Sequence, residues 1–337
     1  MIFKYLFKNR IYANKKWVEK LLYIFILEEG MLMIKTEDFK NFTVYHEDDS
    51  YQFCYITIKD ETFFTDFASY ILDFDMIKKH AAINLDVNIE LTLRDYNEIL
   101  NRLISFADFE KIYNAADFDD AIIEILNQEY IHEESDLRKD KWGRIGEYIF
   151  NILLDSFFNL DYIIRKFALN TSRNMPVYGI DTVHCSLEDK TFYFGESKMV
   201  DSIDNGINLI IKSLENYEAQ ISAEYYTIKN NNFTRSDKFM SLFEESLNRC
   251  LTFSELISYA SINTIGIPIF ISHGGAYDTA NIFNKMKKIP SKKIFDLDTK
   301  YFFISVPVLN KERFRTSFLE VLNKKIEECK TCIRETV

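Results

Sequence analysis

Residues 181–198 narrow the possible folds more than any other part of the chain, because they hold two strand-like runs separated by a short charged turn. The first run contains Val183 and Cys185, and the second contains Phe192 and Phe194, so apolar side chains recur at alternate positions in both. The tetrapeptide E-D-K-T lies between them. This pattern predicts two antiparallel strands joined as a hairpin.

Spacing places three charged side chains at the open end of this hairpin. Glu196 and Lys198 are two residues apart, so they lie on the same face of their strand. If the turn has an even number of residues, Asp181 lies opposite Lys198 and joins that face, whereas a three-residue turn sets Asp181 opposite Ser197 and turns it away. We therefore expect an even turn and an exposed strand end that carries all three groups on one face.

Two carboxylates beside an ammonium group suit metal-dependent hydrolysis of a phosphodiester. Mg²⁺ and Mn²⁺ prefer oxygen ligands, and Mg²⁺ typically takes one or two carboxylates while keeping several waters, so Asp181 and Glu196 are candidate ligands. A bound metal lowers the pKa of its water and neutralises charge on the scissile phosphate. Lys198 would orient that water or stabilise the transition state. The alternative interpretation of these residues is a cross-strand salt bridge.

The segments on either side of the hairpin are predicted to form further helices and strands. Residues 142–150 begin a helical pattern with Glu147 in its first turns, where the carboxylate either complements the helix dipole or points into the site. Residues 161–169 alternate like a strand, residues 203–228 have helical periodicity, and residues 264–272 form an apolar strand pattern. The predicted order is therefore helix, three strands, helix, strand.

With the motifs G-R-I-G-E, G-I-D and G-E-S-K in this order, the chain resembles the PD-(D/E)xK nuclease superfamily. Within it, the motifs are similar to those of the HamA family of the Hachiman anti-phage defence system and its relative AbpA, closely over residues 137–220. The resemblance implies an α/β (α+β) fold with a PD-(D/E)xK nuclease-like core, a mixed sheet flanked by helices, and Mg²⁺- or Mn²⁺-dependent DNase activity. It also implies metal ligands at Asp181 and Glu196, a helical acidic ligand at Glu147 and a catalytic lysine at Lys198.

The resemblance extends to one further residue and to a partner. Gln220 is similar to a glutamine that some superfamily members place beside the metal, the alternative being an ordinary exposed helix residue. Ile180 stands where the superfamily often has proline. The family's partner is a superfamily 2 helicase, HamB-like, and this chain has no Walker A sequence of its own. The implied function is a DNase effector controlled by that helicase, and the alternative is a non-catalytic subunit that regulates or anchors it.

Composition places this core inside a larger chain. With 337 residues, of which 47% are hydrophobic, the chain can bury one large or two modest domains. We expect a basic, amphipathic extension over 1–35, an acidic α/β domain over 36–135 and the nuclease-like domain over 136–337. The extension is either an amphipathic helix or an upstream segment before an internal start at Met31 or Met33. The apolar run in the extension is too short to span a membrane, and the five cysteines form no disulfide or metal-binding pattern. These features predict a cytoplasmic protein, and they leave its oligomeric state open.

The net charge of −11 is unusual for a protein that binds DNA, because phosphate contacts normally come from clustered lysine and arginine. Residues 281–337 nevertheless hold 13 basic against 7 acidic residues, including five lysines between residues 285 and 293. This segment is a candidate contact for the DNA backbone, with a solvated face as the alternative. We expect weak intrinsic DNA binding that is supplemented by a protein partner.

Overall fold

The computed structural model describes residues 22–77, 146–155, 160–164, 179–186, 190–230, 244–275, 279–307 and 314–328, with gaps of one to three residues at 28–29, 39–40, 48–50, 75, 315, 319 and 326. The sequence pattern also predicts a strand over 87–93 and helices over 93–107 and 118–126, which lie outside the described residues. No helix in the described part of the chain is long and apolar enough to cross a membrane.

A single mixed sheet runs through the described residues. Its strands are β1 (Leu22–Leu27), β2 (Gly30–Asp38), β3 (Phe42–Glu47), β4 (Tyr51–Ile58), β5 (Asp161–Ile164), β6 (Thr182–Ser186), β7 (Thr191–Val200), β8 (Thr264–His273) and β9 (Asp298–Pro307). They lie in the order β1-β2-β3-β4-β9-β8-β7-β6-β5. The contacts from β4 through β9 and β8 to β7 are parallel, and those on either side are antiparallel.

Helices cover both faces of this sheet. They are α1 (Thr62–Ile71), α2 (146–155), α3 (Ile203–Ser213), α4 (Tyr217–Asn230), α5 (244–249), α6 (Phe253–Ala260) and α7 (Thr279–Met286), with further helical residues at 316–318 and 320–325. Ile207 of α3 and Ile221 of α4 share a buried cluster with Phe194. On the other face, Phe150 of α2 stacks on Phe270 of β8 with ring centroids 5.8 Å apart. The α/β class, with a mixed sheet flanked by helices, is therefore confirmed.

The predicted order of elements around the hairpin is present in the structure as α2, β5, β6, β7, α3 and β8. The first of these strands is shorter than expected, since β5 is assigned only over Asp161–Ile164. A short 3₁₀ turn, Leu214–Asn216, joins α3 to α4. Because β7 and β8 are parallel, the crossover through α3 and the helices after it returns the chain to the start of β8.

Over Leu22–Leu27 the prediction of an amphipathic helix is wrong, while the first 21 residues of the predicted extension lie outside the described residues. The run Leu22–Leu27 is strand β1, which pairs antiparallel with β2 from Leu22 opposite Lys35 to Leu27 opposite Gly30. Six consecutive aromatic and aliphatic residues favour a strand that is paired locally across a short turn, and they lack the polar face that an amphipathic helix needs. The division predicted at residue 36 also falls inside β2, and β4 pairs with β9, so the sheet continues from the N-terminal strands into the rest of the molecule.

Gly266 of β8 allows a close contact between two neighbouring strands. It lies opposite Tyr193 of β7, and a Cβ added at Gly266 would come within 2.0 Å of the Tyr193 ring. That ring is buried and packs edge-on against Phe302 at 5.3 Å between centroids, so it has little room to move. Gly266→Ala is therefore expected to lower the free energy of unfolding by about 1–3 kcal/mol, measured by urea denaturation.

Gly146→Ala is the matched control for this substitution. A Cβ at Gly146 would meet only the flexible Met199 side chain, at 2.9 Å, and alanine is the better helix former at the start of α2. This variant should unfold within about 0.5 kcal/mol of the parent. Equal unfolding midpoints for the two alanine variants would contradict the packing argument.

Candidate active site where β6 ends beside β7

The β6–β7 hairpin has the predicted turn parity but a different register. Ser186 pairs with Thr191, so four residues connect the two strands, an even number as the sequence predicts. The predicted alignment, with Asp181 opposite Lys198, is wrong by two residues, because the observed ladder continued by one pair would place Asp181 opposite Glu196. A shift of two residues preserves the faces, so Glu196 and Lys198 still point to the same side.

Asp181 lies just before the start of β6 and outside its regular ladder, whereas the sequence predicts that it shares the face of Glu196 and Lys198. Its backbone N–H donates to the carbonyl of Gly195 at 3.0 Å, one residue out of the ladder register. Its carboxylate Oδ2 accepts hydrogen bonds from the Ser197 backbone N–H at 2.6 Å and from the Ser197 hydroxyl at 2.9 Å. Ser197 faces the side opposite to Glu196 and Lys198, so the aspartate carboxylate lies between the two faces.

Lys198 brings the two predicted metal ligands together. Its Nζ donates to Glu196 Oε2 at 2.9 Å and lies 3.9 Å from Asp181 Oδ2. The Glu196 side chain is only 3% exposed, against 22% for Lys198 and 16% for Asp181. The expected exposed strand end is therefore corrected: Glu196 is buried on the face of the sheet that α3 and α4 cover, whereas Lys198 and Asp181 are partly exposed.

The pKa values of this cluster follow from burial and charge. Burial, and then repulsion from Asp181, raises the pKa of Glu196 above its ordinary value of 4.5, against the opposing effects of Lys198 and a hydrogen bond from Ser213. Burial tends to lower the pKa of Lys198, but attraction from Glu196, Asp181 and Glu147 outweighs it and raises this pKa. The lysine is therefore a protonated hydrogen-bond donor at neutral pH.

Glu147 lies at the periphery of this cluster. It is half-buried in the first turn of α2, and its charge is close enough to raise the pKa of Lys198. Among the described residues, no group of three or more His, Cys, Asp or Glu side chains converges closely enough to hold a metal ion. The structure thus brings Asp181 and Glu196 together and places Glu147 near enough for its charge to act on Lys198.

A buried polar network fixes α2, and with it Glu147, against β6. Asn151 Oδ1 accepts a hydrogen bond from the Thr182 hydroxyl at 2.7 Å and lies 3.2 Å from His184 Nε2. The Asn151 amide also donates to the Glu147 carbonyl at 2.8 Å. Asn151 and Thr182 have no signal in the sequence pattern, because their roles depend on a helix and a strand that meet only in the folded chain.

The junction between α3 and α4 supports Glu196 from the other face. Ser213 at the end of α3 hydrogen-bonds the Glu196 carboxylate, and Tyr217 at the start of α4 donates to the carbonyl of Phe194 at 2.7 Å. Gln220 donates to the Ser213 carbonyl at 3.0 Å. The structure therefore places Gln220 one step away from Glu196, as a support of the junction, and its described hydrogen bond does not reach the carboxylates.

The basic segment has structural partners. Lys285 and Lys288 both form ion pairs with Asp204, the second at 3.8 Å. Lys292 donates to a backbone carbonyl at 3.4 Å, and Lys293 pairs with a carboxylate at 3.6 Å. These lysines tie α7 and the following loop to neighbouring elements, and contact with DNA stays a prediction for this segment.

The fold and the site together define an α/β protein with a mixed sheet and a cluster of two carboxylates and a lysine at the end of one hairpin. The chain matches the family model described as HamA over residues 34–322, and it belongs to the HamA family. This membership makes it a component of the Hachiman anti-phage defence system. Searches among curated proteins and among solved structures found no match.

Proposed function

We propose that this protein is a Mg²⁺-dependent DNase of the PD-(D/E)xK type, the nuclease effector of its Hachiman system, controlled by a HamB-like superfamily 2 helicase. The observation that carries the proposal is the convergence of Asp181 and Glu196 on the ammonium group of Lys198, at 3.9 and 2.9 Å. A salt bridge that only stabilised the sheet would gain little from a second carboxylate, because the repulsion between the two acids has to be offset.

The residues present suit a hard divalent cation. Asp181 and Glu196 provide carboxylate oxygens around one positive charge, and Mg²⁺ typically binds through one or two carboxylates and several waters. The burial that raises the pKa of Glu196 also makes an added cation favourable beside it. When bound, the metal supplies a water of low pKa and neutralises charge on the scissile phosphate.

In this proposal the protein side chains have distinct roles. Glu196 and Asp181 hold the cation, and Glu196 also anchors Lys198 two residues further along β7. Since its pKa is raised, Lys198 is a donor at neutral pH and not a base, and it stabilises negative charge on the attacking oxygen or on the phosphate. The negative charge of Glu147 helps to raise the pKa of Lys198 and so to keep this lysine protonated.

Control by a helicase follows from the charge of the chain and from its family. A net charge of −11 opposes binding to DNA, and Lys285 and Lys288 of the basic segment pair with Asp204. The chain has no Walker A sequence with which to move along DNA by itself. A partner that binds and delivers DNA would reconcile weak intrinsic affinity with a functional nuclease site.

Titration with Mn²⁺ tests the metal site directly. The parent protein should bind Mn²⁺ detectably by electron paramagnetic resonance, and Asp181→Asn should weaken binding by at least about 10-fold, because it removes a charged ligand but keeps the side-chain shape. Asp298→Asn is the control, since Asp298 is 83% exposed at the start of β9. No Mn²⁺ binding by the parent would instead favour a non-catalytic subunit that anchors the helicase.

A further inference from the structure

We infer that Ser197 is a positioning residue that holds the Asp181 carboxylate in place for metal binding, an inference that rests on the proposed function. Asp181 Oδ2 accepts two hydrogen bonds from this one residue, at 2.6 Å from its backbone N–H and 2.9 Å from its hydroxyl. The distance from the backbone N–H is short for an N–H···O hydrogen bond, and the distance from the hydroxyl is within the ordinary range for an O–H···O hydrogen bond. Ser197 is 9% exposed, so water competes weakly for these bonds.

Asp181 needs such support because the β-ladder does not hold it. Strand β6 begins at Thr182, and the backbone N–H of Asp181 bonds the carbonyl of Gly195 one residue out of register. Gly179, two residues earlier, has a φ of 121°, so the chain enters the strand through a conformation that other residues rarely adopt. Regular strand pairing therefore does not set the direction of the Asp181 side chain.

The neighbouring charge does not orient the carboxylate either. Lys198 Nζ lies 3.9 Å from Asp181 Oδ2, which is beyond hydrogen-bonding distance, while it donates to Glu196 at 2.9 Å. Its attraction for Asp181 therefore has little directional effect. The described hydrogen bonds that fix the Asp181 carboxylate come from Ser197.

A substitution of Ser197 affects its two hydrogen-bond donors differently. The backbone N–H remains whatever the side chain is, so it continues to hold Asp181 Oδ2 beside β7. The hydroxyl donates from a second direction and thereby restrains rotation of the carboxylate. Removing the hydroxyl should loosen Asp181 without releasing it, and loss of an outer-shell partner of a metal ligand typically costs about 10–100-fold in affinity. We expect the lower end of this range for Ser197.

The test is a Mn²⁺ titration of Ser197→Ala, Ser197→Thr and the control Ser258→Ala, with folding checked by circular dichroism. Ser258 is an exposed helical serine whose hydroxyl also donates to an oxygen, at 3.2 Å. Ser197→Ala should bind Mn²⁺ about 10-fold more weakly than the parent, while Ser197→Thr, which keeps a hydroxyl, and Ser258→Ala should remain within about threefold of the parent. Ser197→Thr binding as weakly as Ser197→Ala would overturn the inference.

A double-mutant cycle separates positioning from a general structural effect. If Ser197 acts through Asp181, adding Ser197→Ala to Asp181→Asn should cause less than a twofold further loss of Mn²⁺ affinity. A full 10-fold loss in that background would overturn the inference. Absence of Mn²⁺ binding in the parent would refute the proposed function itself. If the parent binds Mn²⁺ and Ser197→Ala binds it equally tightly, only the role of Ser197 is refuted.

Discussion

If the proposed function is correct, Glu196→Gln and Lys198→Met should each reduce DNA cleavage by at least about 100-fold in the presence of Mg²⁺ and the proposed partner helicase. Glu196→Gln removes the buried charge of a proposed metal ligand. Lys198→Met removes the ammonium group that lies 2.9 Å from Glu196 and 3.9 Å from Asp181. Initial rates of cleavage on a labelled DNA duplex, measured at saturating partner, check both variants.

Strand β9 offers a control with the same spacing of charges. Asp298 and Lys300 are two residues apart on a strand, as Glu196 and Lys198 are, but they are exposed and lie at the opposite end of the parallel strands. Asp298→Asn and Lys300→Met should therefore cleave at the parental rate. Cleavage by Glu196→Gln and Lys198→Met at the rate of these controls would exclude the assigned site.

Lys198→Met should also make stability depend strongly on pH. In the parent, burial and Asp181 already raise the pKa of Glu196 above 4.5, and removal of the lysine raises it further in the folded state only. As pH rises above about 4.5, the unfolded chain loses this proton while the folded chain retains it, so the free energy of unfolding falls until the folded pKa is passed. The loss should reach about 3 kcal/mol at about pH 8 and nearly vanish at about pH 4.5.

A second substitution isolates the cause of this loss. Adding Glu196→Gln to Lys198→Met replaces the titrating group by a neutral one of the same shape, and should restore most of the stability at about pH 8. Urea denaturation at several pH values, in the absence of metal, measures both variants. If the loss of stability is the same at every pH, its cause is the lost packing of the Lys198 stem and not the unpaired Glu196 carboxylate.

Local sequence patterns predict the helices and strands around the site, but they do not contain the information that sets the register of the β6–β7 hairpin. Alternation over residues 191–200 and helical periodicity over 203–213 are properties of each segment alone, and both elements are present in the structure. In the structure Thr191 already belongs to β7, and Lys190 directly before it has a positive φ of 50°. A lysine gives no sign of that conformation, which favours glycine or asparagine.

The site is predictable in identity and less so in geometry. The acid-x-lysine spacing identifies Glu196 and Lys198, because side chains two apart on a strand share a face. The burial of Glu196 depends on helices that pack over it from later in the chain, and the role of Ser197 depends on Asp181 leaving the ladder. The sequence does not predict the strand Leu22–Leu27 for a similar reason, since this strand is stabilised by pairing with β2 and not by its own periodicity.

The parallel pairing of β4 with β9, from Tyr51 opposite Tyr301 to Tyr55 opposite Ser305, has a practical consequence. A fragment that began at residue 136 would lack β4, the strand that pairs with β9. The backbone donors and acceptors on that side of the apolar strand β9 would then have no hydrogen-bond partners. Such an edge is a template for self-association. The strands that come first in the chain therefore cover β9 in the half that carries the candidate site, and we expect that half to aggregate when it is produced alone.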